Sequence, residues 1–190
     1  MGKVKEMRYE YTVTKEGGEA EIMEKRVIYK ENLKSKIKSI KKKIVKDVLK
    51  TRYQQNDNSH NFQIFTSHHD YLYSLFTKMC IKNLKKFTIL DVPLKIHSYF
   101  TDKSYYEGDV WHDHLKTCTI CGVLYLVTVN NCGIQFAYDD KIIYVEPKDY
   151  DLLIFPGFLK HRPIVSKDKR RVSLNFELSC IEQGKEIFGL

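Results

Sequence analysis

From residue 87 onward the chain is a series of short β-prone runs separated by turn-forming residues. The turn signals include Asn130-Asn131, Asp139-Asp140 and Pro156-Gly157. Many short runs rich in Val, Ile, Tyr and Phe predict an antiparallel sandwich or barrel. The predicted strands lie near residues 87–91, 94–101, 109–115, 119–128, 133–138, 141–146, 151–156, 161–166 and 171–179.

The N-terminal part of the chain has a different pattern, which predicts a hairpin followed by two helices. The β-prone runs 7–14 and 20–29 flank the turn residues Lys15-Glu16-Gly17-Gly18 and so predict the hairpin. A helix is predicted over 31–50, because apolar residues recur there at three- and four-residue steps: Leu33, Ile37, Ile40, Ile44 and Val48. Ser67 and Asp70 resemble a capping box that opens a second helix over 68–85.

Eight lysines between Lys34 and Lys50 account for much of the net charge of +8. The simplest interpretation is that they form the solvated face of the first helix, opposite its apolar stripe. The alternative is a basic surface for nucleic acid or another polyanion. The sequence alone leaves both interpretations open.

The cysteine pattern and the lack of long apolar runs indicate in which cellular compartment the protein is expected. An odd count of five cysteines at irregular spacing argues against a disulfide framework and favours reduced thiols. No stretch approaches the roughly 20 apolar residues of a membrane helix. The N-terminus MGKVKEMRYEYTV lacks the apolar run of a secretory signal. We therefore expect a cytoplasmic protein without a membrane partner, or one in the host cytoplasm if the source is viral.

The segment Trp111-His112-Asp113-His114 carries the strongest chemical signal. On a strand, side chains alternate between faces, so His112 and His114 would point the same way and Asp113 the other. Two imidazoles on one face can hold one metal ion. His161, on a later predicted strand, is the candidate third ligand. Three such ligands would leave the remaining coordination positions open.

Four runs of the sequence together resemble one family. The runs are YYEGDVWHDHLKTCTICGVLYL, GIQFAYDD, LLIFPGFLKHRP and RRVSLNFEL, within residues 94–178. They resemble the Fe(II)/2-oxoglutarate oxygenase superfamily, most closely its phage-type and prolyl-4-hydroxylase-like members. The resemblance implies a mostly β fold with N-terminal helices, in which two helices support a double-stranded β-helix (jelly-roll, cupin-like) barrel. It also implies a single domain over 1–190, with a hairpin and helices in 1–86 and the barrel in 87–180.

The resemblance also implies a set of site residues. His112, His114 and His161 would bind Fe(II) as the catalytic centre, and O2 would be a cosubstrate. Arg171 would hold the distal carboxylate of 2-oxoglutarate, helped by Ser173 and Tyr125. The implied activity is hydroxylation, with a prolyl or other peptide side chain as the first substrate and nucleic acid as the second.

The chain departs from the family pattern at one ligand. Most members have His-x-Asp or His-x-Glu where this chain has His112-x-His114. Three neutral imidazoles would leave the iron site one charge more positive than a site with a carboxylate ligand. Asp113 is the alternative ligand to His114 if the strand ends early and the alternation fails.

Three other functions fit parts of the pattern. A cupin-like dioxygenase would use the three histidines without 2-oxoglutarate, so that Arg171 would not matter for cosubstrate binding. Cys118 and Cys121 could join His112 and His114 in a tetrahedral zinc site, although one CxxC pair is a weak signal. A metal-stabilised module could bind nucleic acid through the lysine-rich helix, and an oxygenase acting on nucleic acid would combine this binding with the hydroxylase activity.

Overall fold

A computed structural model describes residues 19–22, 25–55, 62–63, 68–90, 95–100, 110–164 and 171–190. In this part of the chain the fold is mostly β, with antiparallel sheets and few helices, as the sequence predicts. The strands are β1 (Glu19–Ile22), β2 (Lys25–Asn32), β3 (Phe62–Gln63), β4 (Lys95–Phe100), β5 (Ile120–Val127), β6 (Ile134–Tyr138), β7 (Lys141–Val145), β8 (Asp151–Pro156), β9 (Lys160–Pro163) and β10 (Val172–Leu178). The helices are α1 (Lys34–Ile37), α2 (Lys41–Gln55), α3 (His69–Asn83) and α4 (Gly184–Phe188).

The strands form two sheets. The larger sheet has the order β1-β2-β8-β5-β10-β4-β3, and the smaller sheet has the order β7-β6-β9. All of the strand pairs are antiparallel. Strands β5, β8 and β10 lie in the middle of the larger sheet, and most of their side chains are buried.

Side chains alternate between the two faces of the central strands, so each face of the large sheet has its own apolar core. One face of β5 presents Leu124 and Leu126 to the helices, where they pack with helical residues such as Leu72 and Phe76. The other face presents Val123 and Tyr125 to a second core, which lies against the smaller sheet. The molecule is therefore layered as helices, large sheet and small sheet.

The N-terminal elements differ from the prediction in three ways. The run 20–29 is not one strand, because β1 and β2 already form a hairpin within it, with Ala20 opposite Ile28. The partner run 7–14 and the predicted turn at 15–18 lie outside the described residues. The predicted helix 31–50 is wrong at its start and middle, since β2 continues to Asn32 and residues 38–40 form a turn between α1 and α2.

The start of the second helix also differs. The N-cap of α3 is His68, and its side chain makes no capping hydrogen bond, whereas Ser67 of the predicted capping box lies outside the described residues. The sequence analysis did not predict α4, which is a short C-terminal helix. There Gln183 and Glu186 form a reciprocal capping box.

Seven of the predicted strands have a counterpart, whereas the described parts of the other two runs, residues 87–90 and 110–115, form no strand. Ile89 makes only an isolated bridge with Cys180, and His112 makes only an isolated bridge with His161. In each run only one residue pairs with a neighbouring segment, and a pairing of one residue is too short to form a strand. The second correction affects the metal site, because His112 and His114 are not adjacent positions on one strand face.

The lysine-rich segment is amphipathic, as predicted. Leu33, Ile37, Ile44 and Val48 are buried against the first core. Seven of the eight lysines are exposed, and the remaining one, Lys41, pairs with Asp149.

Two further observations concern the helices and the cysteines. Within the described segments, none of the helices is long and apolar enough to cross a lipid bilayer. All five cysteines are buried, and none of them forms a disulfide in the structure.

The close approach of α3 to β5 makes a prediction about stability. Gly122 faces Phe76, whose ring stacks on Phe176 at 4.8 Å between centroids, and a Cβ on Gly122 would overlap the Phe76 ring. We expect Gly122→Ala to lower the free energy of unfolding in urea by about 1–3 kcal/mol, because the core is overpacked. Adding Phe76→Leu should cost less in this variant than in the wild type. The control is Gly184→Ala, where a Cβ would lie 3.2 Å from Phe158. An unchanged urea midpoint for Gly122→Ala would contradict this packing.

Candidate metal centre

The three predicted histidines lie together although they come from distant parts of the chain. Their ring centroids are 5.3 Å apart for His112 and His114, 4.4 Å for His112 and His161, and 5.2 Å for His114 and His161. One ring nitrogen from each residue lies within 4.8 Å of the others, which is close enough for all three to bind one cation. His161 is buried, His114 is partly buried and His112 is exposed.

Backbone hydrogen bonds bring these residues together without a continuous strand. The N–H of His112 donates to the carbonyl of His161 at 3.0 Å, and the N–H of His161 donates back to the carbonyl of His112 at 2.9 Å. The N–H of His114 donates to the carbonyl of Gly157 at 2.7 Å. The loop of residues 110–114 is thereby attached both to β9 and to the turn that precedes it.

A hydrogen-bond partner orients each of the three imidazoles. Nδ1 of His112 lies 3.1 Å from the carbonyl of Val110, and Nδ1 of His161 lies 2.8 Å from the carbonyl of Leu159. A carbonyl oxygen only accepts, so Nδ1 carries the proton in both rings and Nε2 keeps its lone pair. Nδ1 of His114 lies 3.1 Å from a carboxylate oxygen of Glu177, which has the same effect. Such partners are typical of histidines that bind metals through the other nitrogen.

Glu177 is a residue that the sequence analysis missed. It lies on β10 opposite Cys121 of β5, and its side chain reaches the ring of His114. Its carboxylate is 13% exposed and lies next to the cluster. It thus supplies a negative charge beside a ligand set that contains no carboxylate. Only the register between β10 and β5 reveals this placement, because the local sequence around Glu177 resembles an ordinary strand.

The environment of His161 keeps its ring neutral. Burial, and to a lesser degree the neighbouring His112 and His114, lowers the pKa of His161 to about 3, although the hydrogen bond to Leu159 opposes this shift. The rings of Phe155 and Phe136 pack at 4.9 and 6.0 Å from the imidazole. A neutral imidazole in an apolar surrounding is ready to bind a cation without first losing a proton.

Asp113, the alternative to His114, lies apart from the cluster. It is exposed, and its carboxylate accepts a hydrogen bond from the N–H of Leu115 at 3.2 Å. Among the described residues, the groups of donors close enough to share a cation contain His114 but not Asp113. The geometry thus favours His114 as the third donor.

The three residues expected to hold 2-oxoglutarate also lie together. Arg171 is 3% exposed, donates from Nη1 to the carbonyl of Gly133 at 3.2 Å, and lies over the ring of Tyr125 at 5.6 Å. Ser173 is 1% exposed and faces Tyr125 across the β10–β5 pair. Burial raises the pKa of Tyr125 to about 12, although the Arg171 guanidinium opposes this, so the phenol keeps its proton. The arrangement offers a buried cation and two hydroxyl groups on one patch.

A second donor group lies next to the first. The Sγ atoms of Cys118 and Cys121 are 3.3 Å apart. Both thiols and a ring nitrogen of His114 lie within 4.8 Å of one another. His112 does not belong to this group, so the predicted zinc site with two cysteines and both histidines is not what the structure assembles. Burial, above all, raises the pKa of Cys121 well above its usual range.

No protein-family model and no curated protein sequence matches the chain. The structure resembles a prolyl-4-hydroxylase from Pseudomonas putida with a TM-score of 0.56 and 12% identity, over 80% of this chain and 91% of that one. It also resembles a truncated form of the viral collagen prolyl hydroxylase of Paramecium Bursaria Chlorella virus-1, with a TM-score of 0.55 and 11% identity, over 88% and 98%.

A further match is an oxidoreductase of the 2OG-Fe(II) oxygenase family from Burkholderia pseudomallei. The TM-score is 0.38 and the identity 12%, over 45% of this chain and 41% of that one. The chain therefore spans less than half of the Burkholderia protein. At these identities, the two hydroxylase structures show a similarity of fold.

The first prediction from this site concerns pH. His161 has a lower pKa in the folded protein than its ordinary value of 6.5, so below about pH 6.5 the unfolded state takes up a proton that the folded state does not. In metal-free protein, His161 should cost about 2–3 kcal/mol of stability between pH 7 and pH 4.5. Urea titrations at the two pH values should show a smaller loss for His161→Gln than for the wild type. The control is His68→Gln, and equal losses in all three proteins would contradict the prediction.

The second prediction concerns Glu177. In a Cys118→Ser, Cys121→Ser background, where the thiols cannot contribute, Glu177→Gln should weaken Co(II) binding roughly 10-fold or more. The reason is that the charge behind His114 is lost while an oxygen acceptor remains. Calorimetric titration measures the effect. The exposed Glu146→Gln in the same background is the matched control, and the idea fails if both variants bind Co(II) equally well.

Proposed function

We propose that this protein is an Fe(II)- and 2-oxoglutarate-dependent dioxygenase that hydroxylates its substrate within a double-stranded β-helix. One observation carries the proposal. Three imidazoles converge within 4.8 Å, and each has its Nδ1 hydrogen-bonded, so the Nε2 atoms are available to one cation. The fold similarity to two prolyl hydroxylases supports it.

The residues suit the iron and its cosubstrate. His112, His114 and His161 would hold Fe(II), leaving open positions for 2-oxoglutarate and O2. With these bound, the centre supplies oxidative decarboxylation: 2-oxoglutarate and O2 give succinate and CO2, and one oxygen atom enters a substrate C–H bond as hydroxyl. The protein contributes orientation and a largely dry environment around His161.

The role of Arg171 would be to bind the distal carboxylate of 2-oxoglutarate. A guanidinium can donate two parallel hydrogen bonds to a carboxylate, and burial strengthens this pairing. The hydroxyls of Tyr125 and Ser173 would add further donors, because each retains its proton. Tyr125 also contacts the guanidinium through its ring, which limits how far Arg171 can move.

The exposure of the cluster bears on the substrate. His112 is exposed whereas His161 is buried, so the metal would be approached from the His112 side. An open approach suits a side chain presented by a larger molecule. We take a prolyl or other peptide side chain as the first substrate class and nucleic acid as the second, for which the exposed lysines of α1 and α2 could provide a docking face. A single domain over 1–190 and a cytoplasmic location belong to the same proposal.

The set of three histidines also favours a second candidate, a cupin-like dioxygenase that does not use 2-oxoglutarate. Its basis is the absence of a carboxylate among the three clustered donors. The placement of Glu177 weakens this alternative, because its charge lies in contact with His114 and partly replaces that of the missing ligand.

The test of the proposal uses Fe(II) under anaerobic conditions. Iron-loaded protein should develop a visible charge-transfer absorption on addition of 2-oxoglutarate, and it should release succinate when O2 is admitted. His161→Ala should abolish both signals, whereas His68→Ala should retain them. No absorption from folded, iron-loaded protein would refute the main candidate.

Arg171 separates the two candidates. We expect Arg171→Gln to raise the 2-oxoglutarate concentration needed for half-maximal absorption about 10-fold or more, and Arg171→Lys to restore part of the affinity, because it keeps the charge but not the paired donors. The exposed Lys160→Gln on β9 is the control. If the requirement for 2-oxoglutarate is the same in all of these variants, the cupin-like alternative gains.

A further inference from the structure

His114 lies between two groups of donors, of which the proposed iron site uses only one. The second group consists of His114, Cys118 and Cys121, whose ligand atoms lie within 4.8 Å of one another. Cys118 is 8% exposed and Cys121 is 3% exposed. Both thiols are therefore buried, next to the three-histidine cluster.

The backbone holds this second group in place. The carbonyl of His114 accepts hydrogen bonds from the N–H groups of Thr117 and Cys118, at 2.9 and 3.0 Å, so the chain turns back and brings Cys118 beneath His114. Gly157 packs so closely against the carbonyl oxygen of Cys118 that a Cβ on residue 157 would overlap this oxygen. The carbonyl of Gly157 also accepts a hydrogen bond from the N–H of His114. Both donors are thus fixed relative to the same turn before any ion binds.

Glu177 lies beside the group. It is opposite Cys121 across the β5–β10 pair, and its carboxylate is 3.1 Å from Nδ1 of His114. Two thiols and one imidazole form a three-residue donor set of the type that binds zinc with a fourth position open. Thiolates favour soft and borderline cations over hard ones. The thiol-containing group therefore prefers a different kind of cation from the three imidazoles beside it.

From this geometry we infer that Cys118, Cys121 and His114 form a second site for a zinc-like cation that competes with the iron site for His114. A neutral imidazole has one nitrogen lone pair, so His114 can serve one cation at a time. Occupation of the thiol site therefore withdraws His114 from the three-histidine site, and by reciprocity iron weakens zinc binding. The competition rests on the proposed iron site, whereas the thiol site does not.

The thiol site is tested with Co(II), which takes the same ligands as zinc and absorbs in the near ultraviolet when bound to thiolates. Full-length, reduced protein titrated anaerobically should show this thiolate-to-cobalt absorption, and one equivalent of Zn(II) should remove it. Cys118→Ser and Cys121→Ser should each lower the intensity by about half or more, because each removes one of two thiolates.

Two variants serve as controls for the thiol site. Cys132→Ser changes another fully buried cysteine outside the group, and His112→Ala removes only the three-histidine site, so both should keep the absorption. Folding of each variant is checked by circular dichroism. The thiol site is overturned if folded wild-type protein shows no thiolate band, or if the band keeps its full intensity in both cysteine variants.

The competition is tested under argon on the thiolate-to-cobalt absorption, with and without excess Fe(II). Fe(II) should raise the Co(II) concentration needed for half-maximal thiolate absorption about 10-fold or more in the wild type, and it should have little effect in His112→Ala, which lacks the three-histidine site. An equal Co(II) requirement with and without Fe(II) in the wild type would overturn the competition. Absence of Fe(II) binding to the wild type in a calorimetric titration would instead refute the proposed iron site, and the thiolate band would still decide the thiol site.

Discussion

The reciprocal backbone pairing of His112 with His161 is the contact on which the candidate site depends. It joins two segments separated by almost fifty residues and uses main-chain groups alone, so the ligand side chains remain available for an ion. Because the bridge covers a single residue on each side, it sets the distance between the two segments without extending the sheet. The neighbouring loop then reaches Gly157 and delivers His114.

The two faces of β5 and β10 divide the molecule into a structural side and a chemical side. On the side facing the helices, the strands carry aliphatic and aromatic residues that build the larger core. On the side facing the smaller sheet, β10 carries Ser173, Asn175 and Glu177 at alternate positions, after Arg171. Within this row Arg171 donates to the carbonyl of Gly133 and Glu177 contacts His114, in keeping with the general cost of burying unsatisfied polar groups.

The proximity of the three candidate histidines could be predicted from the sequence, whereas the reason for it could not. The spacing of His112 and His114 suggested a shared strand face, but the segment is a loop, and hydrogen bonds with His161 and Gly157 bring the rings together. Glu177 was missed because its role follows from strand register, which no local pattern encodes. The strands from 119 onward were predictable since alternation and turn residues agreed there. The boundary between β2 and α1 was not, because Leu33 fits both a strand end and a helical stripe.

The contrast between an exposed His112 and a buried His161 has a consequence for how an ion would come and go. An incoming cation would meet the outer imidazole first and exchange its water ligands for nitrogen one at a time as it moved inward. Departure would reverse this order, with the outer bond the first to break. The ion would thus enter and leave from one side only. The exposed His112 would govern the rate of metal exchange, and the buried His161 would govern how tightly the ion is retained.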